Sequence, residues 1–299
     1  MNMINIACGA RIHDKWENID FSPIDKRVKK VNLLGKLPYK DSSFDVAYSS
    51  HFFEHLDKKV APKLLGEIKR ILKPNGILRI VVPDLENIAR EYIKILDSIT
   101  DSGNLDSNKS LDSIKSPDYK NPDSAKSPES HNVAYKHEWI VAEMLDQLAR
   151  TQMGGGLLEI FNKVKGNNDL KYARYIKLRV GDNVLENPAK TPKIPIKNKI
   201  TLDKLANKIL NVYLKFVRFL IPKSLRDEVF INTSIGERHK YMYDRYSLSR
   251  LLESCGFREI RILSYNTSEI LDFNSYLLDM NADNSPYKGI SSLYIECKK

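Results

Sequence analysis

The first 96 residues alternate short apolar runs with one amphipathic stretch, and this alternation constrains the fold more than any other feature of the sequence. Residues 58–72 carry leucine and isoleucine at helical spacing, and the proline and glycine of residues 73–76 would end that helix. The apolar runs predicted as strands are residues 5–9, 16–20, 28–33, 44–49 and 77–82. Because strands that alternate with helices pair in parallel, the sequence predicts an α/β fold with a Rossmann-like, mostly parallel sheet.

The alternation stops near Leu96 and resumes near Tyr246, which predicts an insertion within one fold. Two further strands are predicted at residues 258–263 and 292–297, so the predicted sheet has seven strands. We therefore predict three parts: residues 1–96 as the first part of the core, 97–235 as an insertion after the fifth strand, and 236–299 as its C-terminal part.

The insertion itself has an uneven composition. Residues 98–132 hold nine serines, three prolines and few large apolar side chains, which predicts a mobile loop. Residues 139–150 have the pattern of a helix, and the glycine triplet at 154–156 is predicted to end it. Residues 187–199 are rich in proline and lysine, as expected of a linker.

Ligands of an open parallel sheet bind beyond the carboxyl ends of its strands. Gly9 would let the backbone approach a ligand, Asp20 could accept hydrogen bonds from ribose hydroxyls, and the Asn32 amide suits an adenine edge. Each residue alone is equally typical of a turn or a cap, so the combination carries the prediction. The candidate cofactor-binding residues are Ala7, Cys8, Gly9, Asp20, Asn32, Leu33, Ser49 and Ser50.

Three segments at characteristic intervals resemble the type-11 group of class I methyltransferases. They are residues 37–45 (LPYKDSSFD), 49–56 (SSHFFEHL) and 72–76 (LKPNG). The resemblance covers residues 3–96 and resumes over 236–244 and 247–257, which are similar to a subgroup encoded among bacterial surface-polysaccharide genes. The chain departs from the family pattern where Ala10 and Arg11 follow Gly9, since the family has further glycines, and where Asn32 replaces the usual aspartate.

This resemblance implies S-adenosylmethionine (SAM) as cofactor and O-methylation of a sugar or small polar group of a cell-surface glycan or its precursor. A hydroxyl acceptor must lose its proton, and a histidine or carboxylate within hydrogen-bond reach would remove it. The candidate catalytic residues are His51 at the end of the fourth strand, His239 in the second similar segment, and Asp244, which could orient either histidine. No metal ligand is predicted.

Several alternatives remain open from the sequence. His51, Glu54 and His55 have the spacing of an inverted zinc-protease motif, but His51 is predicted at a strand end and not on a helix. The chain could also methylate RNA or protein, although aromatic residues are not arrayed with the lysines for base stacking. A non-catalytic glycan-assembly module that kept the fold is the third alternative.

The formal charge of +10 is concentrated in one segment. Residues 186–226 hold ten lysines and arginines against two acids. Within them, residues 202–220 show an apolar stripe opposite a cationic face, a pattern that either packs on protein or lies on anionic lipid. The sequence thus predicts a cytoplasmic protein with a small-molecule or glycan substrate, with peripheral contact to the inner membrane near residues 202–221 as a second option.

Overall fold

The computed structural model describes residues 1–101, 128–150, 154–186, 202–222 and 238–299. These ranges contain seven strands and seven α-helices. The strands are β1 (Met3–Ile6), β2 (Glu17–Asp20), β3 (Val28–Lys30), β4 (Phe44–Ser50), β5 (Leu72–Pro83), β6 (Arg258–Leu263) and β7 (Ser292–Lys298). The helices are α1 (Ala61–Ile71), α2 (Leu85–Asp101), α3 (Pro128–Ala149), α4 (Gly155–Gly166), α5 (Leu170–Val180), α6 (Leu202–Leu220) and α7 (Arg245–Ser254).

All seven strands form one sheet in the order β3-β2-β1-β4-β5-β7-β6. The pairs among β1 to β5 are parallel, whereas β7 runs antiparallel to both β5 and β6. The predicted seven-stranded, mostly parallel, Rossmann-like sheet is therefore confirmed. Since β1 to β4 are parallel neighbours, their carboxyl ends lie side by side at one end of the sheet.

Short connections and buried amides fix this end of the sheet. Only ten residues join β1 to β2, fewer than a crossover helix needs, and the connection contains no helix. The buried Asn5 side chain donates to Asn18 Oδ1 at 3.1 Å and to the Arg11 carbonyl at 2.9 Å. These bonds satisfy buried polar groups that would otherwise be costly, and they hold the loop after β1 in place.

Each face of the sheet packs an apolar cluster. On one face, α1 and α7 contribute leucines and isoleucines at helical spacing, among them Leu64, Ile68, Leu248 and Leu252. The opposite face packs aromatic side chains from β4, β7 and the segment between β6 and β7. That second cluster contains Trp16, Tyr48, Phe273, Tyr276 and Tyr294.

The insertion is more helical at its margins than its composition predicts. Helix α2 continues to Asp101 and α3 begins at Pro128, so both ends of the predicted loop 98–132 are helical. Apolar residues spaced along these ends, such as Ile99 and Val133, pack with the rest of the two helices. The remaining loop residues, 102–127, and the predicted linker 187–199 lie outside the described residues.

The glycine triplet begins a helix instead of ending one, which corrects that prediction. Gly154 is the N-cap of α4 with φ of 79°, and Gly155 has φ of 50°. Both values lie in the left-handed region that favours glycine. Residues 151–153 are outside the described part of the chain.

The insertion helices are tied to the core through buried polar contacts. Arg179 on α5 donates to Asn87 on α2 at 2.9 Å, and the Arg179 carbonyl accepts the Ser291 backbone N–H at 3.0 Å. The predicted amphipathic helix is present as α6. Within the described ranges, no helix combines the length and apolar character needed to cross a membrane.

Candidate active site

The ends of β1 and β2 meet through a hydrogen bond between two predicted site residues. The Gly9 N–H donates to Asp20 Oδ2 at 3.0 Å, and the Ser22 N–H donates to Asp20 Oδ1 at 2.9 Å. Gly9 has φ of 53°, and a Cβ built on it would meet no atom within 4 Å. The Asp20 carboxylate is therefore held beside a turn at Gly9 whose outer side is open.

Two aromatic rings bring the loops after β2 and β4 into contact. Phe21 follows β2 and Phe52 follows β4, and their ring centroids lie 6.2 Å apart although β1 separates the two strands. Ala7, at the end of β1, has φ of 56° and packs against the same cluster. The loop tips after β1, β2 and β4 thus converge, and we call the open surface beside Gly9 and Asp20 the crevice.

The predicted cofactor-binding residues divide into two groups. Asn32 and Gly9 are exposed, and Ala7, Asp20 and Ser50 are partly exposed. Three others are buried: Cys8, Leu33 and Ser49.

The buried group corrects part of the prediction. Leu33 and Ser49 are fully buried as whole residues, so neither presents surface to a ligand in this conformation. Strand alternation explains Ser49, which falls on the same face of β4 as the core residue Ala47. Burial, and then the charge of Asp20, raises the pKa of the Cys8 thiol to about 12, so this side chain is a neutral thiol at physiological pH.

His51 lies directly after β4, as predicted, with φ of 50°. Its Nε2 lies 3.0 Å from Ser292 Oγ, and its Nδ1 lies 3.5 Å from Glu54 Oε1. Burial, followed by the charge of Lys288, lowers the pKa of His51 well below the usual histidine value. The ring is therefore neutral, with 23% of its side chain exposed.

Glu54 and His239 form a buried pair that the sequence did not connect. Burial raises the pKa of Glu54 to about 8 and, with the nearby His55, lowers the pKa of His239 to about 3. The His239 Nε2 lies 4.0 Å from Glu54 Oε1. The Lys240 and Tyr241 N–H groups both donate to the Glu54 carbonyl, which brings a segment 180 residues downstream against the turn after β4.

Asp244 does not orient either histidine, contrary to the prediction. Its carboxylate accepts the Ser247 N–H at 2.6 Å, and the Ser247 hydroxyl accepts the Asp244 N–H at 3.0 Å. This reciprocal pair is a capping box at the start of α7. The structure thus places the Asp244 side chain at the N-terminus of α7, where it caps the helix.

The HxxEH spacing does not form the helix of a zinc protease. Residues Phe53–His55 make a single 3₁₀ turn, and His51 precedes it with a left-handed backbone. His51 and His55 nevertheless both face Glu54, because the turn brings each ring close to Glu54 Oε1.

Comparison with known proteins gives a match in the N-terminal part of the chain. Residues 12–80 match the family model described as a methyltransferase domain. A protein of Haemophilus influenzae described as uncharacterized is 29% identical over 84 residues, which are 27% of this chain and 32% of that protein. The chain therefore spans about a third of the length of this curated relative.

Solved structures of SAM-dependent methyltransferases are also similar. The one from Archaeoglobus fulgidus is 12% identical, with 100% of this chain and 86% of that chain covered and a TM-score of 0.34. The one from Thermotoga maritima is 28% identical over 31% of this chain and 50% of that chain, with a TM-score of 0.25. The one from Aquifex aeolicus is 20% identical over 28% of this chain and 57% of that chain, with a TM-score of 0.23.

Proposed function

We propose that this chain is a class I SAM-dependent methyltransferase that methylates a hydroxyl of a sugar or small polar group in a cell-surface glycan or its precursor. The observation that carries the proposal is the Asp20 carboxylate, held by the Gly9 and Ser22 N–H groups beside the open crevice. The methyltransferase-domain match over residues 12–80 covers the segment that contains Asp20, all of β4 and most of β5.

The residues at the crevice fit the parts of the cofactor. Asp20 would accept hydrogen bonds from the ribose hydroxyls, and Gly9 would let the backbone approach the ligand closely. The exposed Asn32 would contact the adenine, its Oδ1 being already oriented by the Leu34 N–H at 3.1 Å. When bound, SAM supplies an activated methyl group that passes to a nucleophile by in-line displacement.

The chain's own contribution to the chemistry is positioning and proton removal. Of the two candidate catalytic histidines, His51 is the one that an acceptor can reach, because 23% of its side chain is exposed and only 3% of the His239 side chain is. Burial keeps His51 neutral, so one ring nitrogen has a lone pair, although the lowered pKa also makes the ring a weaker base. We therefore assign proton removal from the acceptor hydroxyl to His51.

The glycan assignment draws support from the similarity of residues 236–257 to the subgroup associated with surface polysaccharides. RNA and protein are the competing acceptor classes. Incubation with methyl-labelled SAM and a panel of nucleotide sugars, glycan extracts, tRNA and total protein separates them. We expect label in a saccharide fraction, and label confined to tRNA or protein would overturn the glycan assignment.

His51→Gln tests the assignment of proton removal to His51, and His137→Gln is its control. The His51→Gln variant should bind SAM normally but transfer label at least about 100-fold more slowly, since general-base catalysis contributes typically 10²–10⁴-fold. His137→Gln, a histidine change on α3, should leave the rate unchanged. Full activity of His51→Gln would remove His51 from the reaction.

We also propose that α6 contacts anionic lipid. The apolar stripe was expected from the sequence to pack on protein or lie on lipid, and in the structure its side chains are largely exposed: 63% for Ile209, 61% for Tyr213 and 60% for Phe216. Lys208 and Lys215 are exposed on the same helix. An exposed apolar stripe beside lysines is the pattern of a helix that lies in a membrane interface.

Sedimentation with vesicles tests this contact. The protein should pellet with phosphatidylglycerol-containing vesicles at low salt and not with phosphatidylcholine alone. Lys208→Glu/Lys215→Glu should abolish pelleting, whereas Lys171→Glu/Lys177→Glu, the same charge change on exposed positions of α5, should not. Equal pelleting with neutral and anionic vesicles, or none with either, would contradict the proposal.

A further inference from the structure

The Glu54 carboxylate is the most unusual polar group in the described part of the chain. It is fully buried, and neither of its oxygens makes a hydrogen bond. Leaving a buried carboxylate without a partner costs several kcal/mol in general, and proteins normally satisfy such a group by a charge, a donor or a metal ion. The turn after β4 therefore presents acceptor oxygens that need a cation or a donor.

Three histidines surround this carboxylate. Glu54 Oε1 lies 3.5 Å from His51 Nδ1, 3.9 Å from His55 Nε2 and 4.0 Å from His239 Nε2. No lysine or arginine pairs with Glu54 among the ion pairs of the described residues. The cluster thus concentrates three of the chain's six histidines at one buried acid.

In His51 and His55, the ring nitrogen that points away from Glu54 makes a hydrogen bond. That bond determines whether the nitrogen facing Glu54 carries a hydrogen or a lone pair. His55 Nδ1 lies 3.0 Å from the Arg238 carbonyl, which can only accept, so Nδ1 carries the hydrogen and Nε2 has the lone pair. The Ser292 hydroxyl donates to the Lys288 carbonyl at 3.2 Å, so its oxygen accepts from His51 Nε2 and leaves His51 Nδ1 with the lone pair.

Of the rings around Glu54, His55 has the arrangement that metal-binding histidines require, whereas the buried His239 Nδ1 makes no hydrogen bond. A ligating histidine normally donates its other N–H to a carbonyl or carboxylate, which fixes the ring and its tautomer. His55 meets this condition through Arg238. A cation among these oxygens and lone pairs would be attracted to each of them and would displace the proton that the buried Glu54 carboxyl otherwise keeps.

We propose that Glu54, His55 and His239 bind one divalent transition-metal ion. One ligand atom from each residue lies within 4.8 Å of the others. Ligand atoms that lie 2.0–2.2 Å from a tetrahedral ion are about 3.3–3.6 Å apart. Glu54 Oε1 lies 3.9 Å from His55 Nε2 and 4.0 Å from His239 Nε2, and side-chain shifts of about half an ångström would bring both distances into this range. Two imidazoles and one carboxylate form a set suited to Zn²⁺ or Fe²⁺ and poorly suited to Mg²⁺.

The ion would have an open side. His51 and His55 are about one-fifth exposed, whereas Glu54 and His239 are buried, so access is from the side of β4 that carries His51. Three protein ligands with a remaining position are typical of a catalytic and not of a structural zinc site. If the proposed methyl transfer is correct, an ion here would lower the pKa of an acceptor hydroxyl near His51, and only this consequence rests on the proposed function.

Metal binding is measured with Zn²⁺ alone, in the absence of SAM and of any acceptor, so the result does not depend on the methyltransferase proposal. The full-length protein is stripped with chelator, titrated with Zn²⁺ against a chromophoric competitor, dialysed and analysed for metal. We expect one equivalent of Zn²⁺ per chain and a raised Tm. Less than about 0.2 equivalents, with no change in Tm, would overturn the site.

Variants identify the ligands. Glu54→Gln keeps the shape of the buried side chain and His55→Asn changes a partly exposed one, so the second variant remains informative if the first fails to fold. Each should weaken Zn²⁺ binding by at least about 10-fold, the lower limit seen even for outer-shell changes. His137→Gln removes a histidine elsewhere and should bind as wild type. Undiminished one-to-one binding by His55→Asn would show that the ion lies elsewhere.

Discussion

Replacing Asp20 with alanine is expected to weaken SAM binding by about 100-fold or more while leaving the protein folded. The carboxylate would lose its bonds to the ribose hydroxyls, and hydrogen bonds to a charged group contribute about 1.5–3 kcal/mol each. A loss of about 3 kcal/mol corresponds to about 100-fold in Kd. The Gly9 turn would also lose the acceptor of its N–H, which lies at 3.0 Å. Calorimetric titration with SAM measures the change.

Two controls accompany Asp20→Ala. Asp25→Ala removes a carboxylate from the next loop, where Asp25 only pairs with Arg27 at the surface, and it should leave the Kd unchanged. Unfolding curves of both variants should stay close to that of wild type. An Asp20→Ala protein that binds SAM as tightly as wild type would remove Asp20 from the cofactor site.

Replacing Arg79 with methionine is expected to destabilise the fold by about 3–5 kcal/mol. The fully buried guanidinium on β5 bonds Asp279 at 2.7 Å and Glu296 at 2.8 Å, and it also donates to the Ser264 and Thr267 carbonyls. Methionine fills much of the same space but leaves two carboxylates buried without their cation. Removing one side of such a buried ion pair costs about 3–5 kcal/mol in other proteins.

Equilibrium urea unfolding measures this loss, with Arg250→Met as the matched control. Arg250 pairs with Glu253 on the outer face of α7, where both side chains are more than half exposed. An exposed pair contributes about 0–1 kcal/mol, so the control should unfold near the wild-type midpoint. A loss below about 1 kcal/mol for Arg79→Met would show that the network stabilises the fold little.

The order of strands and helices in the core was predictable because it depends on local periodicity. Apolar alternation placed β4 and β6 within a residue of their observed ends, and the ten-residue spacing between Gly9 and Asp20 excluded a crossover helix. The carboxyl ends of the strands then follow from parallel pairing. This reasoning correctly predicted that Gly9 and Asp20 lie next to each other.

Features that depend on tertiary contact were not predictable in the same way. The face of β4 that Ser49 occupies is set by which side of the sheet α1 covers, and the sequence pattern at the strand end does not show it. Asp244 and Ser247 have the spacing of a helix capping box, so the sequence does contain the signal for the observed cap, although Asp244 is also a candidate catalytic residue by its position. The approach of His239 to Glu54 depends on backbone bonds between residues more than 180 positions apart.

The most direct test of the central claim is amide hydrogen exchange of the full-length protein with and without SAM. The account predicts one SAM per chain and slower exchange concentrated in the loops after β1, β2 and β3, at residues 7–11, 20–22 and 31–35. Protection confined to other parts of the chain, or no protection at a saturating concentration of SAM, would contradict it.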